Sequence, residues 1–356
     1  MAEPLVSVVM AVCNGERYLR EAIDSVLNQT LQGIEYVVVD DGSTDSTGSI
    51  LKGYGQALQV ISQPNHGLAQ ALNRGLVAAR GHYIARMDAD DVAEPERLEA
   101  QVRLLEKNPE VGVVGSAVRF IDAGGKAWGV KYFPASDVHI RWHSLFLSPF
   151  AHPAVMMRRN ELFAADLWYR EEYPSIEDYD LWGRLLARTQ GANLSRPLLR
   201  YRIHSESISS KTRLQQRMRH DRIAFRCIGE SFPTFAISQA TVSAICRMLI
   251  EGDPRDPTAP ARSAELVQVY LDLWDQFFNR YHGSRGILQA RDDACLRAAV
   301  ALLRPRAAVG TTAVLRRLLR IDPALPFQLV AAVPMGIAVA RRRPFVAQFY
   351  LNDLRG

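Results

Sequence analysis

The stretch His82-Tyr-Ile-Ala-Arg-Met-Asp-Ala-Asp-Asp91 follows Gly81 and leads from a short, mostly apolar run into three carboxylates. Short apolar runs with such boundaries are typical of buried β-strands. A second run, Ile34–Val39, ends in the same way, at Asp40 and Asp41. In parallel α/β sheets, ligands bind at the carboxyl ends of the strands. The two acidic ends therefore predict a binding site at one end of such a sheet.

Strand and helix patterns alternate along the first part of the chain, which predicts an α/β fold with a mostly parallel sheet. The other predicted strands are Val6–Val12, Leu58–Ser62 and Val111–Phe120. The main predicted helices are Tyr18–Leu27, Leu68–Arg80 and Pro95–Lys107. Helical patterns also surround residues 138–147 and 180–187, and everything beyond about residue 215 is predicted to be helical.

The Asp88-Ala-Asp90 segment places two carboxylates two residues apart. If the segment stays extended, both side chains point to one side, because side chains alternate along a strand. Two oxygen ligands on one side suit Mg²⁺ or Mn²⁺, which also bind diphosphate oxygens and water. The alternative is a solvated acidic loop. The position directly after a strand, repeated at Asp40 and Asp41, favours the metal site.

Four segments, taken together, resemble a known family. They are SVVMAVCNG at 7–15, VVVDDGSTD at 37–45, GLAQALNRG at 67–75 and MDADD at 87–91. Their order and spacing are similar to those of family 2 glycosyltransferases with the GT-A fold, of the type that builds bacterial polysaccharides and cell-surface glycans. The resemblance covers roughly residues 5–210. It implies a Rossmann-like, mostly parallel central sheet flanked by helices, followed here by an all-helical C-terminal extension.

The resemblance implies a donor-binding role for residues of these segments. Asp41 corresponds to the aspartate that hydrogen-bonds the nucleotide base. Ala11 and Asn14 lie where the first strand lines the base and the ribose, and Asn73 or Arg74 helps to hold the base. The alternatives are plain strand packing for Ala11 and a solvated helix face for Asn73 and Arg74.

The same resemblance implies that Asp88 lies near the ribose and the metal, and that Asp90 is the main ligand of a bound Mn²⁺ or Mg²⁺. In the later segment that begins at Tyr201, Arg202 is expected to contact the diphosphate and His204 the metal as a loop closes. Closure would exclude water, which otherwise competes as acceptor. A purely structural histidine is the alternative for His204.

The segment Ile176-Glu-Asp-Tyr-Asp180 resembles the ED motif of the family, whose aspartate is the catalytic base. An acceptor hydroxyl is a poor nucleophile until a carboxylate takes its proton. Asp178 is the expected base, with Glu177 and Asp180 as supports on the acceptor side. Attack opposite the diphosphate implies inversion at the anomeric carbon. The alternative is an acidic first helical turn, which the helix dipole favours. His152 is expected to line the acceptor side, or to be an ordinary loop histidine.

Charge divides the chain into two parts. Residues 1–210 carry 21 Lys and Arg against 26 Asp and Glu, and residues 211–356 carry 22 against 12. We predict a catalytic domain over 1–210 and a basic helical extension over 211–356. In the extension, Leu325–Ala340 is apolar but short and interrupted, and Arg341–Arg343 follows it. One interpretation is an interfacial helix on an anionic membrane surface. The other is a helical subdomain packed on the catalytic domain.

These features together predict a metal-dependent, inverting glycosyltransferase with a UDP-sugar as donor and a glycan or lipid-linked acceptor. Four scattered cysteines and the lack of a secretory leader favour the cytoplasm, either free or at the inner face of the cytoplasmic membrane. The alternative is a non-catalytic binding or scaffold protein at the membrane. A different nucleotide enzyme is disfavoured because neither G-x-G-x-x-G nor a P-loop motif is present. Nucleic acid is not an expected partner, because the acidic first part would repel phosphates.

Overall fold

The computed structural model describes residues 3–205, 213–247, 263–302 and 311–322. The chain divides into two compact units: residues 1–135 with 148–219, and residues 136–147 with 220–356. The predicted division at residue 210 placed residues 136–147 in the catalytic part. The structure places them in the other unit, because Val138 and Trp142 are buried in the same apolar core as Tyr270.

Nine strands form one sheet in the described part of the first unit. The strands are β1 (Val6–Val12), β2 (Glu35–Asp41), β3 (Gln59–Gln63), β4 (Tyr83–Asp88), β5 (Val92–Ala93), β6 (Val111–Ile121), β7 (Ala127–Lys131), β8 (Met156–Arg158) and β9 (Gln190–Arg202). Their order is β3-β2-β1-β4-β8-β6-β9-β5, with β7 paired to β6.

The helices of the described residues are α1 (Leu19–Leu27), α2 (Thr47–Gly53), α3 (Leu68–Ala78), α4 (Arg97–Lys107), α5 (Asp137–Ser144), α6 (Arg159–Phe163), α7 (Glu177–Leu186), α8 (Arg213–Ser231), α9 (Gln239–Cys246), α10 (Ser263–Tyr281), α11 (Ile287–Leu302) and α12 (Thr311–Ile321).

The half of the sheet that carries the predicted motifs is parallel. The strands β3, β2, β1 and β4 run the same way, joined by helices as parallel neighbours require. The other half is mixed: β8 runs antiparallel to both β4 and β6, while β6 and β9 are parallel. β7 is antiparallel to β6 because the short turn over 122–126 joins them. The predicted α/β fold is confirmed, with a sheet that is mixed rather than mostly parallel.

The register of the parallel strands aligns the residues of the predicted site side by side across the sheet. Ala11 of β1 pairs with Val39 of β2 on one side and with Asp88 of β4 on the other. The helix α3 packs closely beneath, because a Cβ on Gly75 would come within 2.5 Å of Val9. The carboxyl ends of β1, β2 and β4 therefore open together, which is where α/β sheets bind ligands.

The second unit has a core of its own. Trp142 of α5 contacts the rings of Tyr270, Trp274 and Phe277 of α10, with ring centroids between 5.1 and 5.2 Å apart. Among the described residues, no helix has both the length and the apolar content that a membrane crossing requires. The predicted interfacial segment, residues 325–343, lies outside the described residues.

Candidate active site

Asp41 organises the loop that follows β3. Its side chain is 4% exposed, and its carboxylate accepts hydrogen bonds from Gln63 Nε2 at 2.7 Å and from the backbone N–H groups of His66 and Gly67, both at 2.9 Å. The neighbouring Gly42 has a φ of +74°, and a Cβ there would lie 2.6 Å from the backbone nitrogen of Asn65. Only glycine therefore lets this loop approach the end of β2.

The other predicted donor residues lie around the same strand ends. Asn14 adopts a φ of +55°, and its Oδ1 accepts from Thr44 N at 2.8 Å, so it joins the loops after β1 and β2. The exposed Arg74 donates from NH1 to Gln63 Oε1 at 3.1 Å, which connects it to Asp41 through one side chain. Ala11 is partly exposed at the end of β1. The structure brings these residues together.

Asn73 is placed differently from what the motif predicts. Its Nδ2 donates to the carbonyl of Tyr169 at 2.8 Å, and its Oδ1 accepts from the N–H of Tyr169 at 2.9 Å. The amide is thus used on both sides to fix the backbone of the loop before α7. Asn73 connects the helix α3 to that loop, and a bond to a nucleotide base would have to replace these two.

The three carboxylates after β4 form a compact cluster. The chain turns at residues 89–90 instead of staying extended, so the predicted alternation does not apply there. The turn nevertheless brings one oxygen each of Asp88, Asp90 and Asp91 within 4.8 Å of one another. Asp90 Oδ2 lies 2.9 Å from His204 Nε2. Asp91 is 1% exposed, and its Oδ2 has no hydrogen-bond partner among the described residues.

The charges of this cluster are only partly compensated by protein groups. Burial, and then repulsion from Asp88, raises the pKa of Asp90. Burial, and then repulsion from Asp90 and Asp88, raises the pKa of Asp91 well above its usual range. A divalent cation with oxygen preference fits such a set, because it would supply the opposite charge and satisfy the unbonded Asp91 oxygen. Asp91 was missed as a candidate ligand in the sequence, although it directly follows Asp90.

Arg202 supports the cluster from the end of β9. Its N–H donates to Asp91 Oδ1 at 2.8 Å and its Nε to the carbonyl of Asp90 at 2.7 Å. Its NH2 donates to Glu21 Oε2 at 2.5 Å, and the guanidinium lies 4.4 Å from the ring centre of Tyr18. The side chain is almost fully buried. The predicted contact with a diphosphate would require Arg202 to give up these bonds, so its placement favours a role in holding the acidic turn.

The ED motif forms the first turn of α7. Glu177 is 3% exposed, and burial, followed by repulsion from Asp178, raises its pKa to about 7. Asp178 is more accessible, its pKa is raised by burial, and Ser148 Oγ donates to its Oδ2 at 3.5 Å. Asp180 is fully buried and ion-paired with Arg184 at 2.6 Å. Asp180 therefore stabilises the helix and its surroundings, rather than facing the acceptor side as the motif predicts.

His152 lies near this motif. Its Nε2 is 2.9 Å from the hydroxyl of Tyr169. Burial, and then the nearby charge of Arg86, lowers the pKa of His152 well below its usual range, so the imidazole is neutral near pH 7. A neutral histidine can orient a hydroxyl by hydrogen bonding without adding charge.

Two residues outside every predicted motif role connect the two acidic groups. Arg86 is ion-paired with Asp88 and lowers the pKa of both Glu177 and Asp178. The hydroxyl of Tyr169 lies within electrostatic range of Asp178 and of Asp88. The carboxylates after β4 and those of α7 therefore lie within electrostatic range of the same two residues. The sequence signal for Arg86 is a charged residue in the middle of an apolar strand; Tyr169 gives no comparable signal.

Comparison with known proteins identifies the family of this chain. A model of glycosyl transferase family 2 matches residues 7–164. An uncharacterized glycosyltransferase of Haemophilus influenzae is 35% identical over 219 residues, which cover 58% of this chain and 68% of the relative. The chain belongs to the family 2 glycosyltransferases. The resemblance inferred from the four motifs is thereby confirmed.

Two further comparisons concern a relative from polysaccharide biosynthesis and a solved structure. The amylovoran biosynthesis glycosyltransferase AmsE of Erwinia amylovora is 32% identical over 212 residues, covering 58% of this chain and 79% of AmsE. The crystal structure of S. aureus TarS 1–349 in complex with UDP-GlcNAc aligns with a TM-score of 0.54 and 17% identity, covering 97% of this chain and 89% of the TarS 1–349 chain. At that identity the likeness concerns the fold, and it confirms the predicted GT-A architecture with its helical C-terminal region.

The hydrogen bonds of Asp41 give this glycosyltransferase a testable structural feature. In Asp41→Asn, the amide nitrogen faces donors instead of accepting from them, so we expect the free energy of unfolding to fall by about 2 kcal/mol. Urea denaturation measures this loss. Glu110→Gln, an exposed carboxylate of the same unit, is the control and should change stability by less than about 0.5 kcal/mol. Equal stability of the two variants would contradict an organising role for Asp41.

Proposed function

We propose that this glycosyltransferase moves a sugar from a nucleotide diphosphate sugar to an acceptor hydroxyl, with inversion and with the help of Mn²⁺ or Mg²⁺. The observation that carries the proposal is the proximity of Arg86 and Tyr169 to both acidic groups. It supports a single site in which the acids after β4 hold a cation and Asp178 acts as base. A uridine donor is the first candidate, since TarS, which shares the fold, was crystallised with UDP-GlcNAc.

The donor would lie across the ends of β1, β2 and β4. In this arrangement the base and ribose occupy the space beside Ala11, Asn14 and Asp41, with Arg74 at the rim. Asp88, Asp90 and Asp91 would hold the cation, with His204 fixing the position of Asp90. When bound, the cation would neutralise the negative charge that the departing diphosphate acquires.

The proposed reaction at the acceptor uses the carboxylates at the start of α7. Asp178 takes the proton of the acceptor hydroxyl while its oxygen bonds to the anomeric carbon and the bond from that carbon to the diphosphate breaks. Glu177 precedes Asp178 in the first turn of α7. The neutral His152, which is hydrogen-bonded to Tyr169, would help to orient the acceptor hydroxyl. Because the base and the leaving group lie on opposite sides of the sugar, the anomeric configuration inverts.

The proposed acceptor is inferred from the name of a similar protein and from the charge of the chain. AmsE belongs to amylovoran biosynthesis by its name, which supports a glycan or lipid-linked acceptor in cell-surface polysaccharide synthesis. The excess of 22 Lys and Arg over 12 Asp and Glu in residues 211–356 supports contact with an anionic surface. The proposed location is therefore cytoplasmic, at the inner face of the cytoplasmic membrane.

A thermal-shift screen tests the donor proposal. Nucleotide sugars with each base are added to the full-length protein with and without Mn²⁺, and a ligand at 100 times its Kd stabilises by about 2.7 kcal/mol. We expect one nucleotide sugar to raise Tm only with the metal present, and a radiolabelled form of it to be transferred or slowly hydrolysed. If none of the nucleotide sugars shifts Tm under either condition, the proposed donor class is wrong.

The acidic pair of α7 predicts a pH dependence. Burial raises the pKa of both carboxyls, to about 7 for Glu177, and the two titrate as a coupled pair. The active form is deprotonated, so kcat/KM should rise with pH and level off above about 7. Glu177→Gln removes the titration near pH 7, so the acidic limb is set by Asp178 alone and moves to lower pH. An unchanged or upward-shifted limb would contradict the coupling.

A further inference from the structure

Arg86 occupies an unusual position for a charged residue. It lies in the middle of β4, between β1 and β8 in the sheet, and its side chain is 4% exposed. Its Nε has no hydrogen-bond partner among the described residues. A buried guanidinium is costly unless opposite charges compensate it, so the placement of Arg86 depends on the acids around it.

Those acids come from two separate segments. NH1 of Arg86 is ion-paired with Asp88 Oδ1. Arg86 also lies within electrostatic range of Glu177 and Asp178, and its charge favours their charged forms. His152 also lies within electrostatic range of Arg86. One buried positive charge is thus in contact with a proposed cation ligand and within electrostatic range of the proposed base.

We propose that Arg86 is a positioning residue whose charge is shared between Asp88 and the Glu177–Asp178 pair, so that a cation bound at Asp88 competes with Arg86 there and leaves its charge to the base. This inference rests on the proposed function for its catalytic consequence. Its binding consequence concerns only the cation and the protein.

The physical argument is a competition between two cations for one carboxylate. Two positive charges near Asp88 repel each other, and in a partly buried site this repulsion is weakly screened. Arg86 must therefore weaken the binding of a divalent cation. The coupling is reciprocal, because a bound cation weakens the hold of Asp88 on Arg86 to the same extent. The charge of Arg86 then acts mainly on the carboxylates of α7.

Asp178 is the group through which this coupling reaches the reaction. It is faced by Glu177 from its own helix, by Arg86 from β4 and by Tyr169 from the preceding loop. Among these three residues Arg86 is the cation, so its loss leaves the pair Glu177–Asp178 with like charges and no nearby compensation from β4. Deprotonated Asp178 then becomes harder to maintain.

Replacement of Arg86 by Met, which keeps the length and removes the charge, separates the two consequences. Binding of Mn²⁺ alone to the full-length protein is measured by electron paramagnetic resonance of the free ion, at pH 7.5. We expect Arg86→Met to bind Mn²⁺ at least about threefold more tightly, since the competing charge is gone. We expect kcat to fall by at least about 30-fold, with the acidic limb of kcat/KM moved to higher pH.

Two further variants keep the test decisive. Arg158→Met is the matched control, because Arg158 lies in the neighbouring strand β8 and donates to the carbonyls of Val111 and Leu105 instead of to acids. It should leave Mn²⁺ affinity and the pH limb unchanged. If Arg86→Met does not fold, Arg86→Lys serves, since it keeps the charge: Mn²⁺ affinity should stay within about threefold of the parent protein and kcat should exceed that of any charge-free variant.

Weaker or unchanged Mn²⁺ binding in Arg86→Met would overturn the inference, as would Mn²⁺ binding more than about threefold tighter in the charge-keeping Arg86→Lys or in Arg158→Met. These outcomes leave the proposed function intact if the parent protein transfers sugar. Conversely, tighter Mn²⁺ binding in Arg86→Met without any transferase activity in the parent protein would support the competition and reject the proposed reaction.

Discussion

Asp178→Asn is expected to lower kcat by about 10³-fold while leaving the KM for the donor within about threefold, because general-base catalysis contributes about 10² to 10⁴-fold. The amide has the shape of the carboxylate and can accept the hydrogen bond from Ser148, but it cannot take a proton from the acceptor. Steady-state transfer with a radiolabelled donor measures both constants. The change affects a step in the reaction and not the binding of the donor.

The control for Asp178→Asn is an exposed acid of the same unit. Glu172 lies in the loop before α7, and its side chain is 65% exposed. Glu172→Gln should therefore retain the parental kcat. A kcat for Asp178→Asn within tenfold of the parent protein would assign the base to another residue. Glu177, with its pKa of about 7, would then be the first to examine.

Asp90→Ala should abolish the dependence of donor binding on Mn²⁺ and lower kcat/KM by about 10³-fold, since charge stabilisation of a leaving group is worth several kcal/mol. The substitution removes an oxygen from the cluster with Asp88 and Asp91 and leaves His204 without its carboxylate partner. Isothermal titration with UDP, with and without Mn²⁺, measures the binding part separately from turnover.

Glu110→Gln is again the control, since it changes an exposed acid and should leave the metal dependence as it is. A second comparison is Asp91→Asn, which keeps the size of the side chain but removes charge. It should weaken Mn²⁺ binding less than Asp90→Ala, because the amide keeps one oxygen that can bind the cation or accept from Arg202. If Asp90→Ala keeps the full Mn²⁺ effect on UDP binding, the acids after β4 do not hold the cation.

The parallel half of the fold could be predicted because its signals are local. β1 was predicted with its observed ends, Val6 and Val12, and α1 differs from its prediction by one residue. Strands buried on both faces appear as continuous apolar runs. The segment Gln190–Arg202 lacks that pattern. It contains Pro197 and several polar residues, and its register with β6 shifts there, so a strand over these residues was not predicted.

The short strands β5 and β8 were not predicted, for a different reason. β5 has two residues and β8 has three, so neither is long enough to show a period. Their existence depends on partners far along the chain, since Val92 pairs with Arg200 and Met157 with Ile84. Such pairing is a property of the folded sheet and leaves no mark in a window of sequence.

In the site, too, the sequence motifs predict which residues lie near one another but not which contacts their side chains make. The motifs identify the acidic residues that lie together, because a family pattern preserves residue type at a strand end. They do not show which of these side chains are already engaged in hydrogen bonds or ion pairs with other residues of the protein. Asn73 bonds to Tyr169, 96 residues later, and Asp180 pairs with Arg184. Both look like site residues in sequence, and both have structural partners that only the fold reveals.

Some of the arginines that make the second unit basic are ion-paired with acids of the same unit. Arg297 is bonded to Asp293 at 2.8 Å, and Arg317 to Asp272 at 2.7 Å and to Asp275 at 2.6 Å. These arginines are used within the helical unit. The pairs of Arg317, whose acidic partners are exposed, contribute little to stability. The membrane proposal therefore depends on the remaining basic residues, which is why it needs a binding measurement of its own.

The anomeric configuration of the product tests the central claim most directly. With an α-linked nucleotide sugar identified by the thermal screen, the linkage formed on the acceptor is read from the anomeric proton coupling by NMR. A base on α7 opposite the leaving diphosphate predicts a β-linked product. An α-linked product would contradict the account, because the sugar would then have been attacked from the face on which the diphosphate departs.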